Sequence, residues 1–331
     1  MSMSSRILPL AGAALAFAVN AAAAAPQYHL VDLGPGTGTK LNWYGEVSGR
    51  TQGRPALWHD GAWHFLHGSH KTVVDDLGNN RVAVGTRGLG RGDHDTPIAV
   101  MWKPDGRQLD LVPDAARSYG RFIRSDGTAY GMAEPKHGHA YPFSFQAGRL
   151  TALPYVEDWA WTKPNAVNDV RQIAATGQSV PQDGQCPSEP LLYTNGAWVH
   201  LGSLGGDCGS AIGINDDGVV VGFSTVAGSD AAHAFRWFDG VMTDLGSLGG
   251  GYAWANDINE EGTTVGYSAD AKLNPHAVVW RDGPITALDT VVDAQPDGEM
   301  IEALSINENG QILVRGVGND LKDHTYRLDP M

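Results

Sequence analysis

Thiols are nearly absent: Cys186 and Cys208 are the only two in 331 residues. A disulfide-dense small scaffold is therefore excluded, and what remains is at most one bridge. Positive charge is also scarce, with 23 Lys and Arg against 37 Asp and Glu and a net charge of −14. Such a chain repels phosphate backbones and anionic bilayers, so nucleic acid is excluded as a partner class. Beyond residue 25 no apolar run approaches the ~18 residues of a membrane-spanning helix, and no membrane span is expected. Two catalytic signatures are missing: the Gly-x-Ser-x-Gly elbow and the His-Glu-x-x-His helix. The Gly34 to Lys40 run resembles a phosphate loop only until its end, where Gly-Lys-Ser/Thr is lacking. These absences remove named enzyme families without excluding catalysis, because repeat folds assemble sites from distant loops.

The first 25 residues read as a secretory signal peptide. One positive charge at Arg6 precedes an apolar run from Ile7 to Val19 and an alanine tract suited to cleavage. A secreted or periplasmic location is therefore expected, with residues 26–331 forming one domain. No cysteine stands near the cleavage region, which speaks against a lipid anchor.

What the chain has in abundance is periodicity. A sequence of the type Ile-Asn-Asp-x-Gly-x-x-x-Gly recurs seven times, cleanest at Leu41 to Gly49, Ile214 to Gly222 and Ile258 to Gly266. Between these stand the anchors Trp58, Trp102, Phe145, Tyr193, Trp237, Trp280 and Leu328, spaced 43 to 48 residues apart. Each Asn-x-x-Gly places turn residues where a hairpin needs a positive φ. The flanking runs are rich in β-formers, and four short antiparallel strands per unit describe one propeller blade. The ends complete the count. His324 to Leu328 matches a third strand with no fourth after it, and Val31 to Gly34 matches a fourth strand with no third before it. The expected fold is all-β: a seven-bladed propeller whose last blade is closed by the N- and C-terminal strands.

His233-Ala234-Phe235, His276-Ala277-Val278, the Asp244 to Gly250 run and the Ile-Asn-x-x-Gly turns resemble the bacterial extracellular HAF-repeat family. The likeness is strong from residue 189 onward and weaker over 50–180, and in the first-half units Arg54, Ile98, Tyr141 and Glu189 take the histidine slot. The resemblance implies export and a repeat fold, and brings no reaction, ligand or catalytic residue.

Residues that recur in one slot are expected to serve the blade, and residues that break the pattern are better functional candidates. His233, His276 and His324 thus read as strand-edge hydrogen-bonding groups, the tryptophan anchors as inter-blade core, and Asn215, Asn259 and Asn307 as turn formers. Function is expected on the face carrying the longer, variable connections. There Tyr155, Glu157, Asp158, Trp159 and Trp161 form the sharpest anomaly. The aromatics and carboxylates suit a platform for a sugar ring or a protein partner, while packing of the indoles against the ring is the alternative. His67, His70, His94, His137 and His139, with Asp93 and Asp95, are weaker candidates for a transition metal or acid–base work. No other cofactor is expected. Cys186 and Cys208 fall near the open end of one hairpin, so a disulfide is expected between them. The functional expectation is a non-catalytic binding scaffold for a glycan or protein. The alternative is a lyase or hydrolase with a loop-built site near the central channel. Oligomeric state leaves no mark in the sequence.

Overall fold

The computed structural model describes residues 27–90, 96–156, 159, 161–178, 188–281 and 283–331. The expected leader lies outside them. Seven four-stranded antiparallel blades are arranged in chain order, and a single parallel bridge, Ala232 to Tyr252, joins the fifth to the sixth. The innermost strands are Thr37–Leu41, Val73–Leu77, Arg117–Ile123, Trp161–Val167, Gly205–Ile214, Gly249–Ile258 and Glu299–Ile306, for blades 1 to 7. Tyr28–Pro35 supplies the outermost strand of blade 7 and runs antiparallel to Asp323–Pro330, with Leu30 opposite Leu328 and Asp32 opposite Tyr326. The seven-bladed, end-closed propeller expected from the repeat is the fold observed. Among the described residues the helical content is one short 3-10 turn, Leu288–Thr290, and no helix is long and apolar enough to cross a membrane.

Apolar packing concentrates at the junctions between blades. Seven hydrophobic clusters occur among the described residues, one per junction. Each of the seven recurring anchors belongs to a different one. Trp102 packs with Leu57 and Val74 between blades 1 and 2, Trp280 with Val219 and Val221 between blades 5 and 6, and Leu328 with Val279 and Met300 between blades 6 and 7. Burying such a side chain is worth roughly 1.5–3 kcal/mol. The indole N–H also needs an acceptor and finds one on the preceding blade: Trp102 donates to the His67 carbonyl at 2.8 Å, Trp280 to that of Leu245 at 3.1 Å.

The glycine that ends five of the seven repeats has a steric cause; Ala175 and Val314 stand in its place in blades 4 and 7. All seven inner strands carry a β-bulge in the same place, skipping Thr39, Asp75, Arg121, Asn165, Ile212, Asn256 and Leu304 in the ladder. A bulge bends its strand and crowds the partner. A Cβ on Gly222 would lie 1.9 Å from the Ser210 carbonyl oxygen, and one on Gly266 1.9 Å from that of Trp254. The turn glycine is less strict. Gly218 and Gly262 hold φ of 80° and 79°, yet Arg81 and Arg171 adopt 59° and 67° in the equivalent turns.

The recurring histidines pair strand three with strand four of their own blade. His233 Nδ1 lies 2.8 Å from Asp244, His276 Nδ1 3.7 Å from Asp289, and His324 Nδ1 3.6 Å from Asp32 across the closing pair of strands. In blade 4 the two partners change places, with Glu189 on the third strand and His200 on the fourth at 3.0 Å. The histidine slot therefore serves the blade edge.

Candidate functional site

On the variable face the expected platform does not come together as a free aromatic surface. Tyr155 is 42% exposed, and its ring stacks on His139 at 5.4 Å between centroids. Trp159 turns back onto its own blade. Its ring fills the space beside Gly177, where an added Cβ would meet it at 2.7 Å, and it lies 6.2 Å from the His200 ring. Trp161 heads the inner strand of blade 4, paired with Gln178. Glu157 and Asp158 lie outside the described residues.

The histidine candidates are likewise dispersed. His67 shares a cleft with Arg54, Lys71 and Arg87, a basic setting that opposes a metal ion. The His70 carbonyl accepts from Arg50 at 2.6 Å, and His139 is the ring under Tyr155. His94, Asp93 and Asp95 lie outside the described residues. Among the described residues no three His, Cys, Asp or Glu side chains are grouped to hold a metal. Cys208 carries no free thiol, while Cys186 lies outside the described residues.

A polar cavity of about 520 Å³ opens instead on the opposite face, at the axis, where the tight Asn-x-x-Gly turns converge and all seven blades contribute. Two hydrogen-bonded belts build its mouth. In the first, each turn asparagine holds its own turn through Oδ1, as Asn259 does by accepting from Thr263 N–H at 2.9 Å. Its Nδ2 meanwhile donates to the next blade: Asn168 to the Asn215 carbonyl, Asn215 to that of Asn259, Asn259 to that of Asn307, and Asn307 to that of Asn42. The turn formers are thus also inter-blade stitches.

The second belt lies one residue on. Asp169 N–H donates to Asp216 Oδ1 at 2.6 Å, Asp216 N–H to Glu260 Oε1 at 2.9 Å, and Glu260 N–H to Glu308 Oε2 at 2.8 Å. Burial at the mouth pushes the Glu260 and Glu308 carboxyls above their ordinary range, and repulsion from the neighbouring acids adds to it. Arg124 serves the Asp169 end of this row, at 3.5 Å. In blade 1 the equivalent slot holds Trp43, which is 46% exposed, lines the cavity, and donates its backbone N–H to Asn79 Oδ1 at 2.8 Å. Tyr44 beside it is more exposed still.

Deeper in the channel, charges meet across blades. Lys40 Nζ reaches Asp257 Oδ2 at 2.7 Å, and Asp257 also accepts from Ser305 Oγ and Ile306 N–H. Burial alone would lower the Lys40 pKa, but Asp257 and Asp76 outweigh it and the net shift is upward. Asp75 and Arg121 approach only to 3.7 Å. Their Oδ2 and Nε atoms are both buried without a hydrogen-bond partner. Burial pushes the Asp75 carboxyl up to about 7 against the pull of Arg121, with Asp76 adding to the rise. Lys163 is shifted down by burial and then by Arg121. A carboxyl perturbed by burial in a cavity wall marks a candidate functional position.

These channel residues were not among the sequence candidates. One signal was present: Trp43-Tyr44 interrupts the Asn-Asp-Asp-Gly type of turn seen at Asn215 to Gly218.

No described protein family matches the chain, and no curated protein matches it either. Solved structures do, at the level of the fold. The chain is similar to the β-propeller domain of the Trilobed protease from Pyrococcus furiosus, with a TM-score of 0.60, 8% identity, and coverage of 92% of this chain and 96% of that one. It is also similar to virginiamycin B lyase from Staphylococcus aureus, with a TM-score of 0.57, 11% identity, and coverage of 92% and 100%. A streptogramin B lyase aligns with a TM-score of 0.55 at 10% identity, over 92% and 98%. At such identities the likeness establishes the propeller and nothing about ligand or reaction.

Proposed function

We propose that the chain is an exported, non-catalytic binding module that takes its ligand at the axial pocket on the tight-turn face. The observation that carries this is Trp43, an exposed aromatic on the rim of a polar cavity to which every blade contributes. An aromatic face at the edge of convergent polar groups is the arrangement of a binding site. Trp43 also breaks the repeat in a slot where the other turns carry Asn, Ser, Asp or Glu. Tyr155 and Trp159, by contrast, are engaged with His139 and with Gly177 and His200. The proposed location rests on the leader-like first 25 residues and the HAF-type repeats.

A second reading, an enzyme at the channel, is favoured by Asp75, whose carboxyl is pushed up to about 7 in the wall of the same pocket. The two readings part in one experiment. Thermal-shift screening against oligosaccharides, amines and peptides is run on the wild type, Trp43→Ala and Asp75→Asn. A ligand at 100 times its dissociation constant adds about 2.7 kcal/mol when it binds only the native state. A shift lost in Trp43→Ala, with the ligand recovered unchanged by mass spectrometry, supports the binding module. Ligand consumed by the wild type but not by Asp75→Asn supports the enzyme. A shift unaltered by Trp43→Ala removes the axial pocket as the site.

A further inference from the structure

The charge in the pocket is not balanced. Lys40 is occupied by Asp257, Arg121 faces Asp75, and Arg124 is divided between Asp126 and Asp169. Asp216, Glu260 and Glu308 accept only backbone N–H groups in the structure as described. A second observation comes from the wall of the same pocket, where Asp75 Oδ2 is a buried acceptor with no donor. Among the described residues no cation pairs with the three rim acids, and Asp75 offers an acceptor oxygen that Arg121 does not reach.

A bare metal ion does not suit this arrangement. The backbone bonds hold each carboxylate to its own blade junction, and no metal-holding group forms among the described residues. The cavity, about 520 Å³, is also far larger than an ion. A neutral sugar would fill the volume and stack on Trp43, yet leave the repulsion among the acids unrelieved. A cationic organic group meets both features, because an ammonium is attracted to an indole face and to carboxylates alike.

We propose that the mouth of the axial channel binds an organic cation, its ammonium group held against Trp43 and among Asp216, Glu260 and Glu308. This rests on the reading of the axial pocket as the binding site and adds the class of ligand. The three rim acids line the same cavity as Trp43, and the open volume accommodates the rest of the molecule.

Calorimetric titration of the full chain tests it, with spermidine and tetramethylammonium as cationic probes and maltose as the neutral one. The variants are Trp43→Ala, the pair Glu260→Gln with Glu308→Gln, and Tyr155→Ala on the far face. Glutamine keeps an oxygen that accepts the same backbone N–H, so the belt and the fold persist; circular dichroism checks this. Saturable binding of a cationic probe, weakened about tenfold by Trp43→Ala and by the double glutamine variant but not by Tyr155→Ala, is the expected result. Cation binding indifferent to all three variants is diffuse attraction to an acidic protein and overturns the proposal. Maltose binding that needs Trp43, without cation binding, overturns the ligand class and leaves the pocket as the site. Silence from every probe overturns the ligand class, and a Trp43-independent hit in the wider screen overturns the site itself.

Discussion

Replacing Asp75 with asparagine is expected to stabilise the protein, by an amount that grows from pH ~4 and is complete above pH ~7. The unfolded carboxyl titrates near its ordinary 3.8, while burial raises the folded one to about 7. Below pH ~4 both states are protonated and the burial carries no charge penalty. As pH rises from there, the unfolded state releases its proton before the folded state does, so stability falls until the folded carboxyl has also ionised. Above pH ~7 the loss is complete. Three units at about 1.4 kcal/mol each give about 4 kcal/mol. Water reaches 23% of the side chain and screens part of this, so the expected gain is about 2–4 kcal/mol. Asparagine mimics the neutral acid in shape. Urea unfolding of both proteins from pH 4 to pH 9, at constant ionic strength, isolates the residue because other titrations cancel in the difference. The two curves should meet at the acid end and separate through pH 5 to 7, with the variant more stable. A difference independent of pH, or a wild type that is the more stable protein at pH 8, would refute the reasoning and place the ordinary ionised aspartate in the channel.

Other consequences are smaller in scope. Asn259→Ala removes the bond to Thr263 N–H and the stitch to the Asn307 carbonyl, and should cost about 1–3 kcal/mol in chemical denaturation. Asn259→Asp keeps the acceptor and loses the stitch, so a cost as large as alanine's would show that the belt matters more than the turn. Gly266→Ala drives a Cβ against the Trp254 carbonyl and should cost at least about 3 kcal/mol by calorimetry; a neutral outcome would mean the bulge relaxes. Cys186→Ser should lower the melting temperature under oxidising conditions only, by a loss of about 3 kcal/mol for a loop of this length, and equal effects with reductant present would sink the expected bridge to Cys208.

The blade architecture was open to sequence reasoning because its causes repeat. A large apolar anchor at each junction, a glycine under five of the seven bulges and an asparagine at five of the seven turns leave a period that can be counted. The terminal match between Val31 to Gly34 and His324 to Leu328 was readable for the same reason, since half a blade exposes an edge. The site was less open. Lys40 and Asp257 stand 217 residues apart and meet only when the ring closes, so no local spacing announces them. Alternation along the inner strands would have assigned Asp75 and Asp76 to opposite faces. The bulge breaks that count, and both line the one cavity. For Trp159 the sequence leaves platform and packing open, because its neighbour Gly177 lies across a hairpin whose packing the sequence does not reveal. Trp43 breaks the repeat pattern too, but on the tight-turn face, whereas the long connections direct a sequence reading to the opposite one.

The bulged slot is where the channel wall differs most between blades. In blades 1, 4 and 6 it holds Thr39, Asn165 and Asn256, and each donates to a carbonyl of the following blade: Val74 at 2.8 Å, Ala211 at 2.7 Å and Ala303 at 3.0 Å. These neutral stitches satisfy both partners, and a blade selected only for stability would repeat them. Blades 2 and 3 place Asp75 and Arg121 there instead, charges that approach only to 3.7 Å and leave a buried oxygen and a buried nitrogen unpartnered. A buried, imperfectly paired ion pair is a weak source of stability and often a net cost. Blades 5 and 7 carry the apolar Ile212 and Leu304 in this slot, so the charged pair of blades 2 and 3 stands apart from every other blade, in the wall of the pocket whose rim carries Trp43. Departures of that kind persist where the site, rather than the fold, needs the residue. If Asp75→Asn and Arg121→Gln together stabilise the protein while weakening ligand binding, stability has been exchanged for function at this junction. If the double variant is neutral on both counts, the pair is a tolerated substitution and the site is confined to the rim.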